Sequence, residues 1–219
     1  MSIRVVCFDL GGVVVRICRS WQEACARAGV QAPDAAAFAR PELAARRREL
    51  VEAYQTGRKG CDEFFDALAG ATGGQHSAHD VRRVHNAWII EDYASIDAVI
   101  DGLNRTRGVV SACLSNTNHA HWAGMLGLPG GEGWRSPSVE ALRLTGASQL
   151  LGCAKPGLEI YRKAEGLFGA SGPEIVFFDD LAENVAAASG LGWRAFQIDH
   201  EGDTAAQVRG ALLSLGISV

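Results

Sequence analysis

Three short apolar runs constrain this chain most. Residues 3–8 (IRVVCF), 109–114 (VVSACL) and 175–178 (IVFF) are near-continuous stretches of β-branched, aromatic and small apolar side chains. Each is too short for a helix, and none alternates apolar with polar residues as a half-exposed strand does. Strands of this kind need cover on both faces, which a parallel sheet between helical layers provides. Residues 194–198 (RAFQI) are a fourth candidate strand. Helical patterns lie between the runs. Residues 95–107 place Ile96, Val99, Ile100 and Leu103 on one face, and residues 157–168 do the same with Leu158, Ile160, Tyr161, Ala164 and Leu167. Residues 182–191 and 204–215 behave similarly, with Gly190 and Gly216 as stops. This alternation predicts an α/β fold, a Rossmann-like parallel sheet flanked by helices.

The stretch 20–93 breaks the alternation. It shows helical periodicity over 20–28, 41–55, 61–71 and 77–90 and no convincing strand. It reads as an all-helical insertion over residues 17–93, between a first core segment (1–16) and a second (94–219). Residues 124–138, rich in Gly and Pro, read as a loop.

Composition excludes some functions. Of 219 residues, 47% are hydrophobic and 21% charged, enough for a sizeable core and too apolar for a disordered chain. A net charge of −4 argues against a nucleic-acid scaffold. It leaves room for a phosphorylated substrate, since one Lys and a metal ion can make a positive pocket inside an acidic protein. None of the six cysteines forms a C-x-x-C pair, and no His cluster has zinc-ligand spacing, so the thiols are expected reduced, as in a cytoplasmic protein. Asp9 interrupts the apolar run Val5 to Val15 and Arg16 follows it, which does not match a signal peptide. No segment approaches 18 apolar residues, so no membrane span is expected.

The candidate chemistry sits where the strands end. In an open parallel sheet, ligands bind beyond the carboxyl ends of the strands. The first run ends in Asp9, the second in Ser115-Asn116 and the third in Asp179-Asp180. A lone Asp after a strand most often serves a turn or a helix cap; several polar ends converging on one edge are harder to explain that way. Gly11 and Gly12 let the backbone turn sharply after Asp9 and present N–H and carbonyl groups to an ion. Adjacent Asp179 and Asp180 repel each other unless a cation or donors compensate. One of them can cap the helix beginning near Leu181, which leaves the other unexplained. Lys155-Pro156 precedes the helix at 157–168, where a cation opposes the helix dipole and an anion nearby would offset it.

Four segments together resemble the haloacid-dehalogenase-like hydrolase superfamily, chiefly its small phosphatases with a helical cap. They are Val6-Cys7-Phe8-Asp9-Leu10-Gly11-Gly12-Val13, Leu114-Ser115-Asn116-Thr117-Asn118, Lys155-Pro156-Gly157-Leu158-Glu159-Ile160-Tyr161 and the segment from Phe177 through Asp179-Asp180 to Val185, in the family's order. The resemblance implies that Asp9 is a nucleophile attacking phosphorus, that Ser115 and the backbone of Asn116 hold phosphoryl oxygens, and that Lys155 neutralises charge. It implies Mg²⁺ on Asp9, the Gly11 carbonyl and Asp180, with Asp179 a second ligand or acting through water. The insertion would be the cap, and the substrate a small phosphorylated metabolite such as a sugar phosphate.

One departure matters. The family usually carries a second Asp two residues after the nucleophile, as general acid/base; here that position is Gly11. A positioned acid/base typically contributes roughly 10²–10⁴-fold. The expectation is a slow enzyme, one favouring good leaving groups, or one with another donor, for which His119 and His121 are the nearest candidates, though surface histidines are the commoner reading. The same Gly argues against a phosphomutase, and the acidic pair argues against a metal-free dehalogenase. A weakened member that binds a phosphorylated ligand without turnover is the other class to test. In the insertion, Arg46-Arg47-Arg48 is expected to be a solvated face and Trp88 to pack its core.

Overall fold

A computed structural model describes residues 2–219. In chain order the elements are β1 (Val5–Phe8), β2 (Val15–Ile17), α1 (Trp21–Ala28), α2 (Ala35–Phe38), α3 (Pro41–Gln55), α4 (Cys61–Gly70), α5 (Ala78–Asn86) and β3 (Ile89–Asp92). Then follow α6 (Ile96–Arg105), β4 (Val110–Ser115), α7 (His119–Met125), α8 (Pro137–Glu140), β5 (Leu144–Ala147) and α9 (Ser148–Leu151). The chain closes with α10 (Leu158–Phe168), β6 (Ile175–Asp179), α11 (Ala182–Gly190), β7 (Arg194–Gln197) and α12 (Thr204–Ser214).

Five parallel strands form the main sheet in the order β5-β4-β1-β6-β7. The chain builds outward from β1 through β4 to β5, then returns to the other side of β1 for β6 and β7. The direction therefore reverses at β1, the kind of switch point where such sheets bind ligands. The strands are apolar on both sides because both sides are covered. Val6, Phe8, Val176 and Phe178 pack against α6 and α12 through Ile96, Val99, Ile100, Leu103, Val208 and Leu212. Val5, Cys7, Leu114 and Phe177 face α10 and α11 through Ile160, Tyr161, Ala164 and Ala188. Each large side chain buried here contributes about 1.5–3 kcal/mol. On α10 the buried face runs through Phe168; Leu158 and Leu167, expected on it from spacing, are exposed.

The helical stretch exists as α1–α5, with its own cores around Leu50, Tyr54, Phe64, Phe65 and Leu68 and around Cys18, Ala24, Cys25 and Val84. Ser77 and Asp80 cap α5 reciprocally. The expectation of a strand-free stretch is corrected at its end. The expected helix over 77–90 stops at Asn86, and Ile89–Asp92 pairs antiparallel with Val15–Ile17. This two-stranded ribbon carries the chain into and out of the helices. Gly57 lies close against α9: it is at φ +70°, and an added Cβ would stand 2.5 Å from the Gln149 carbonyl oxygen. β5, in the sequence LTGA, was not foreseen either. The Gly/Pro-rich loop is bounded by α7 and α8, whose ends it overlaps.

All six cysteines are free. No helix among the described residues is long and apolar enough to cross a membrane.

Candidate active site

The ends of β1, β4 and β6 converge as their parallel pairing requires. Asp9 leaves β1 with its N–H donating to the Phe178 carbonyl at 2.7 Å, so β1 and β6 remain paired up to the first acidic residue. Asp9, Asp179 and Asp180 offer carboxylate oxygens that all lie within 4.8 Å of one another, and all three residues are buried. Lys155 is buried with them. Its Nζ stands 2.9 Å from Asp9 Oδ1 and 2.7 Å from Asp179 Oδ2. The anionic partners that offset its charge are these two carboxylates. The helix starts later than the sequence suggested: Pro156, joined to Lys155 by a cis peptide, precedes the N-cap Gly157 and lies outside α10.

The two adjacent carboxylates differ in their partners. Asp179 is fully enclosed. Its Oδ1 accepts from the Leu181 N–H at 2.9 Å, Asn184 Nδ2 donates to both oxygens, and Lys155 donates to Oδ2. Four donor contacts fill the roughly four lone-pair sites of a carboxylate. Asp179 can join a metal only by giving one of them up. Asp180 faces outward to Arg19, whose Nη1 donates to Oδ2 at 2.7 Å, with His200 Nδ1 4.0 Å from the same oxygen. Gly12 runs hard against this group: at φ +85°, a Cβ there would stand 2.4 Å from Asp180 Oδ2. The position therefore needs glycine twice, for backbone angle and for space. Gly11 does not need it by angle, and a Cβ there would meet only the flexible end of Ile17 at 3.0 Å.

Ser115 closes β4, buried beside this cluster. Asn116 spends its side chain on Lys155: Nδ2 donates to the Lys155 carbonyl at 2.9 Å and Oδ1 accepts from its N–H at 2.8 Å. This clamp fixes the backbone that aims the ammonium, and leaves the main chain of Asn116 for other contacts. Electrostatics follow from the packing. Burial pushes the Asp9 carboxyl up to about 7, against the pull of Lys155 and with the repulsion of Asp179. Burial alone would lower Lys155, but Asp9 and Asp179 outweigh it and hold the ammonium well above the ordinary lysine range. All seven residues expected at the site, Asp9, Gly11, Ser115, Asn116, Lys155, Asp179 and Asp180, thus lie at one edge of the sheet.

Residues 3–192 match the haloacid dehalogenase-like hydrolase family. The chain belongs to that family. Among curated proteins, phosphatase MT3486 from Mycobacterium tuberculosis (strain CDC 1551 / Oshkosh) is 39% identical over 70 residues, which are 32% of this chain and 32% of that one. The matched segment is thus about a third of the length of that relative. Among solved structures, HAD family enzyme BT-2542 from Bacteroides thetaiotaomicron, in complex with magnesium and inorganic phosphate, superposes with a TM-score of 0.73 at 21% identity, covering 95% of this chain and all of that one. The L-2-haloacid dehalogenase of Xanthobacter autotrophicus, with chloropropionic acid covalently bound, shares the fold at TM-score 0.58 and 17% identity, covering 99% and 85%.

Several features of this haloacid dehalogenase-like hydrolase were not foreseen. Arg19 carries no motif and is recognised only by what it touches, whereas Asn184 lies inside the Phe177–Val185 segment and its role shows in its contacts with Asp179. Arg47, expected in a solvated row, instead donates to the Ala71 and Phe38 carbonyls at 2.8 and 2.6 Å and lies over the Phe38 ring; Arg46 and Arg48 are exposed as expected. Trp88 packs against the Cys18–Cys25 cluster as expected and also borders the cavity described below. His119 is a surface residue, but His121 is not. Its ring stacks on His85 with centroids 3.7 Å apart, and its Nε2 lies 2.8 Å from the His85 carbonyl oxygen.

Burial lowers His121 to about 4, and burial with the neighbouring His121 holds His85 well below the ordinary histidine range. Both rings are therefore neutral at pH 7, and neither is a ready proton donor there. The unfolded chain takes up a proton at His121 below about 6.5 while the folded chain does not until about 4. Stability from this group is full above the first value and is lost as pH falls toward the second, by up to about 3 kcal/mol. Replacing His121→Phe keeps a stacking ring without the titration. The stability difference between wild type and variant should shrink by that amount between pH 6.5 and 4; parallel pH profiles of the two proteins would refute the assignment.

Proposed function

We propose that this hydrolase is a Mg²⁺-dependent phosphatase of small phosphomonoesters, working through a phospho-aspartate on Asp9. The observation that carries the reading is the buried lysine shared by two of three clustered carboxylates, with a serine at the adjoining strand end. The donor set suits Mg²⁺, which prefers carboxylate and carbonyl oxygens and is held by one or two carboxylates. Asp9, Asp180 and the Gly11 carbonyl would hold it, with Asp179 positioning Lys155. When bound, the cation would offset the charge that a carboxylate and a phosphate dianion bring together.

The chain's own residues then do the following. Asp9 attacks phosphorus, the bond to the leaving oxygen breaks, and that oxygen departs with the electron pair. Lys155 stabilises charge on the phosphoryl oxygens, which Ser115 and the Asn116 backbone N–H orient. Water next attacks phosphorus, releasing phosphate and regenerating the Asp9 carboxylate. The helical stretch, as a cap over residues 17–93, excludes bulk water from both steps. Arg19, which donates to Asp180 Oδ2, would share that carboxylate with the cation or yield it. The magnesium and phosphate in the Bacteroides structure and the phosphatase named among the relatives support this reading.

Gly11 favours a second reading, a protein that binds a phosphorylated ligand without turnover. Chelation separates the possibilities. With acetyl phosphate, whose leaving group needs no acid, removal of divalent metal should bring hydrolysis to background and added Mg²⁺ should restore it. Turnover of a 2-haloacid in the presence of chelator would instead establish a dehalogenase.

A further inference from the structure

A cavity of about 700 Å³ opens between the helical stretch and the sheet edge. Its lining includes Gly11, Ser115, Asn116 and Lys155, so it is continuous with the phosphoryl site. The rest of its wall is unlike that site. Trp21, Phe38, Tyr54, Phe64, Trp88 and Val51 come from the helical stretch and its end, and apolar residues of the first core segment and the β2–β3 ribbon face them.

The polar groups on this wall are mostly spent. Arg47 is bound to two carbonyls, Glu52 pairs with Arg58, and the Asn116 and Asn118 side chains serve Lys155 and α7. The exceptions are Trp21 Nε1 and the His85 ring nitrogens, buried without hydrogen-bond partners, and the side chains of Arg48 and Gln55. A sugar would bring several hydroxyl groups against a wall that is mostly aromatic and aliphatic, and burying unpaired hydroxyls is costly. A flat apolar group fits this wall instead. The volume lies within the range of small-molecule pockets, which are usually apolar with few polar groups.

Gly11 points the same way from chemistry alone. Without a carboxyl there, no side chain has been placed to protonate the departing oxygen. A phenol, like the tyrosine side chain, ionises at ~10, whereas a hydroxyl as weakly acidic as water ionises at ~15.7. An aryl oxygen can leave as the anion; an alkyl oxygen needs a proton.

We propose that the substrate is an aryl phosphomonoester whose ring occupies this cavity. The inference rests on the phosphatase reading above and narrows its substrate. A sugar phosphate matches the aromatic wall and the missing acid less well than an aryl ester does.

The test compares kcat/KM for 2-naphthyl phosphate, phenyl phosphate, glucose 6-phosphate and acetyl phosphate with Mg²⁺ present. The two aryl esters have leaving groups of similar acidity, so their ratio reads the cavity. The second ring should raise kcat/KM about tenfold, mainly through KM. Glucose 6-phosphate should be poorer than either by roughly 10³-fold or more. Val51→Glu, at a partly exposed position, should lower the ratio of naphthyl to acetyl phosphate kcat/KM about tenfold. Equal rates for phenyl and naphthyl esters, or glucose 6-phosphate turned over as well as either, would overturn the aromatic assignment while acetyl phosphate turnover kept the phosphatase reading intact. Failure of all four substrates would overturn both.

Discussion

Asp9→Asn should turn over no phosphomonoester above background, a loss of roughly 10⁴-fold or more in kcat, while the protein becomes slightly more stable. Both effects have one cause. The amide cannot supply the attacking carboxylate oxygen, so covalent transfer stops. The wild-type carboxyl is also an energetic burden on the fold: burial raises it to about 7, and Asp179 and Asp180 stand close by. At and above neutral pH the folded state holds an ionised group that water would solvate better. A neutral isostere removes that cost, and Lys155 keeps its bond to Asp179. The expected gain is about 1–2 kcal/mol, or a rise of a few degrees in Tm. Assays of hydrolysis and thermal unfolding on one preparation check both. Loss of activity together with a lower Tm would mean that Asp9 is structural.

Lys155→Ala has the larger effect on stability. Lys155 is the buried cation between Asp9 and Asp179, with a side chain 1% exposed. Its removal leaves two enclosed carboxylates facing each other without compensation. Breaking such a group by deleting one partner costs about 3–5 kcal/mol, and for a chain of this length each kcal/mol lowers Tm by about 2–4 °C. Thermal unfolding in chelator should therefore show a fall of roughly 10 °C. Adding Mg²⁺ should recover part of it, because a divalent cation can neutralise the same carboxylates and binds only the folded state. Catalysis should not recover with it, since the charge on the transferring phosphoryl group remains unmatched. An unchanged Tm would show that solvent already screens these charges.

Much of this arrangement was legible in the sequence because it depends on strand ends. Runs such as VVCF and IVFF fix where β1 and β6 stop, and parallel pairing then puts Asp9 beside Asp179 whatever the rest of the chain does. The apolar faces of 96–103 and 160–168 identified α6 and α10 in the same way, since burial follows helical spacing. What escaped depends on tertiary pairing. Ile89 and Ile90 continue a helical pattern, but β2 captures their backbone as a strand. LTGA has little β propensity and becomes β5 only because the edge of β4 is open beside it. The site divides along the same line. The carboxylates, Ser115 and Lys155 belong to ordered motifs. The Arg19 contact with Asp180 and the His85–His121 stack join distant segments. No local pattern announces them.

Trapping the covalent state tests the central claim most directly. Wild-type protein with Mg²⁺ and acetyl phosphate is quenched in acid during turnover, treated with borohydride and digested. Reduction of an acyl phosphate on Asp9 converts that residue to homoserine, which mass spectrometry locates in the peptide carrying Leu10-Gly11-Gly12. The account predicts homoserine at position 9 and its absence in protein quenched without substrate. Steady hydrolysis with position 9 still aspartate throughout, or the modified residue found elsewhere, would contradict it.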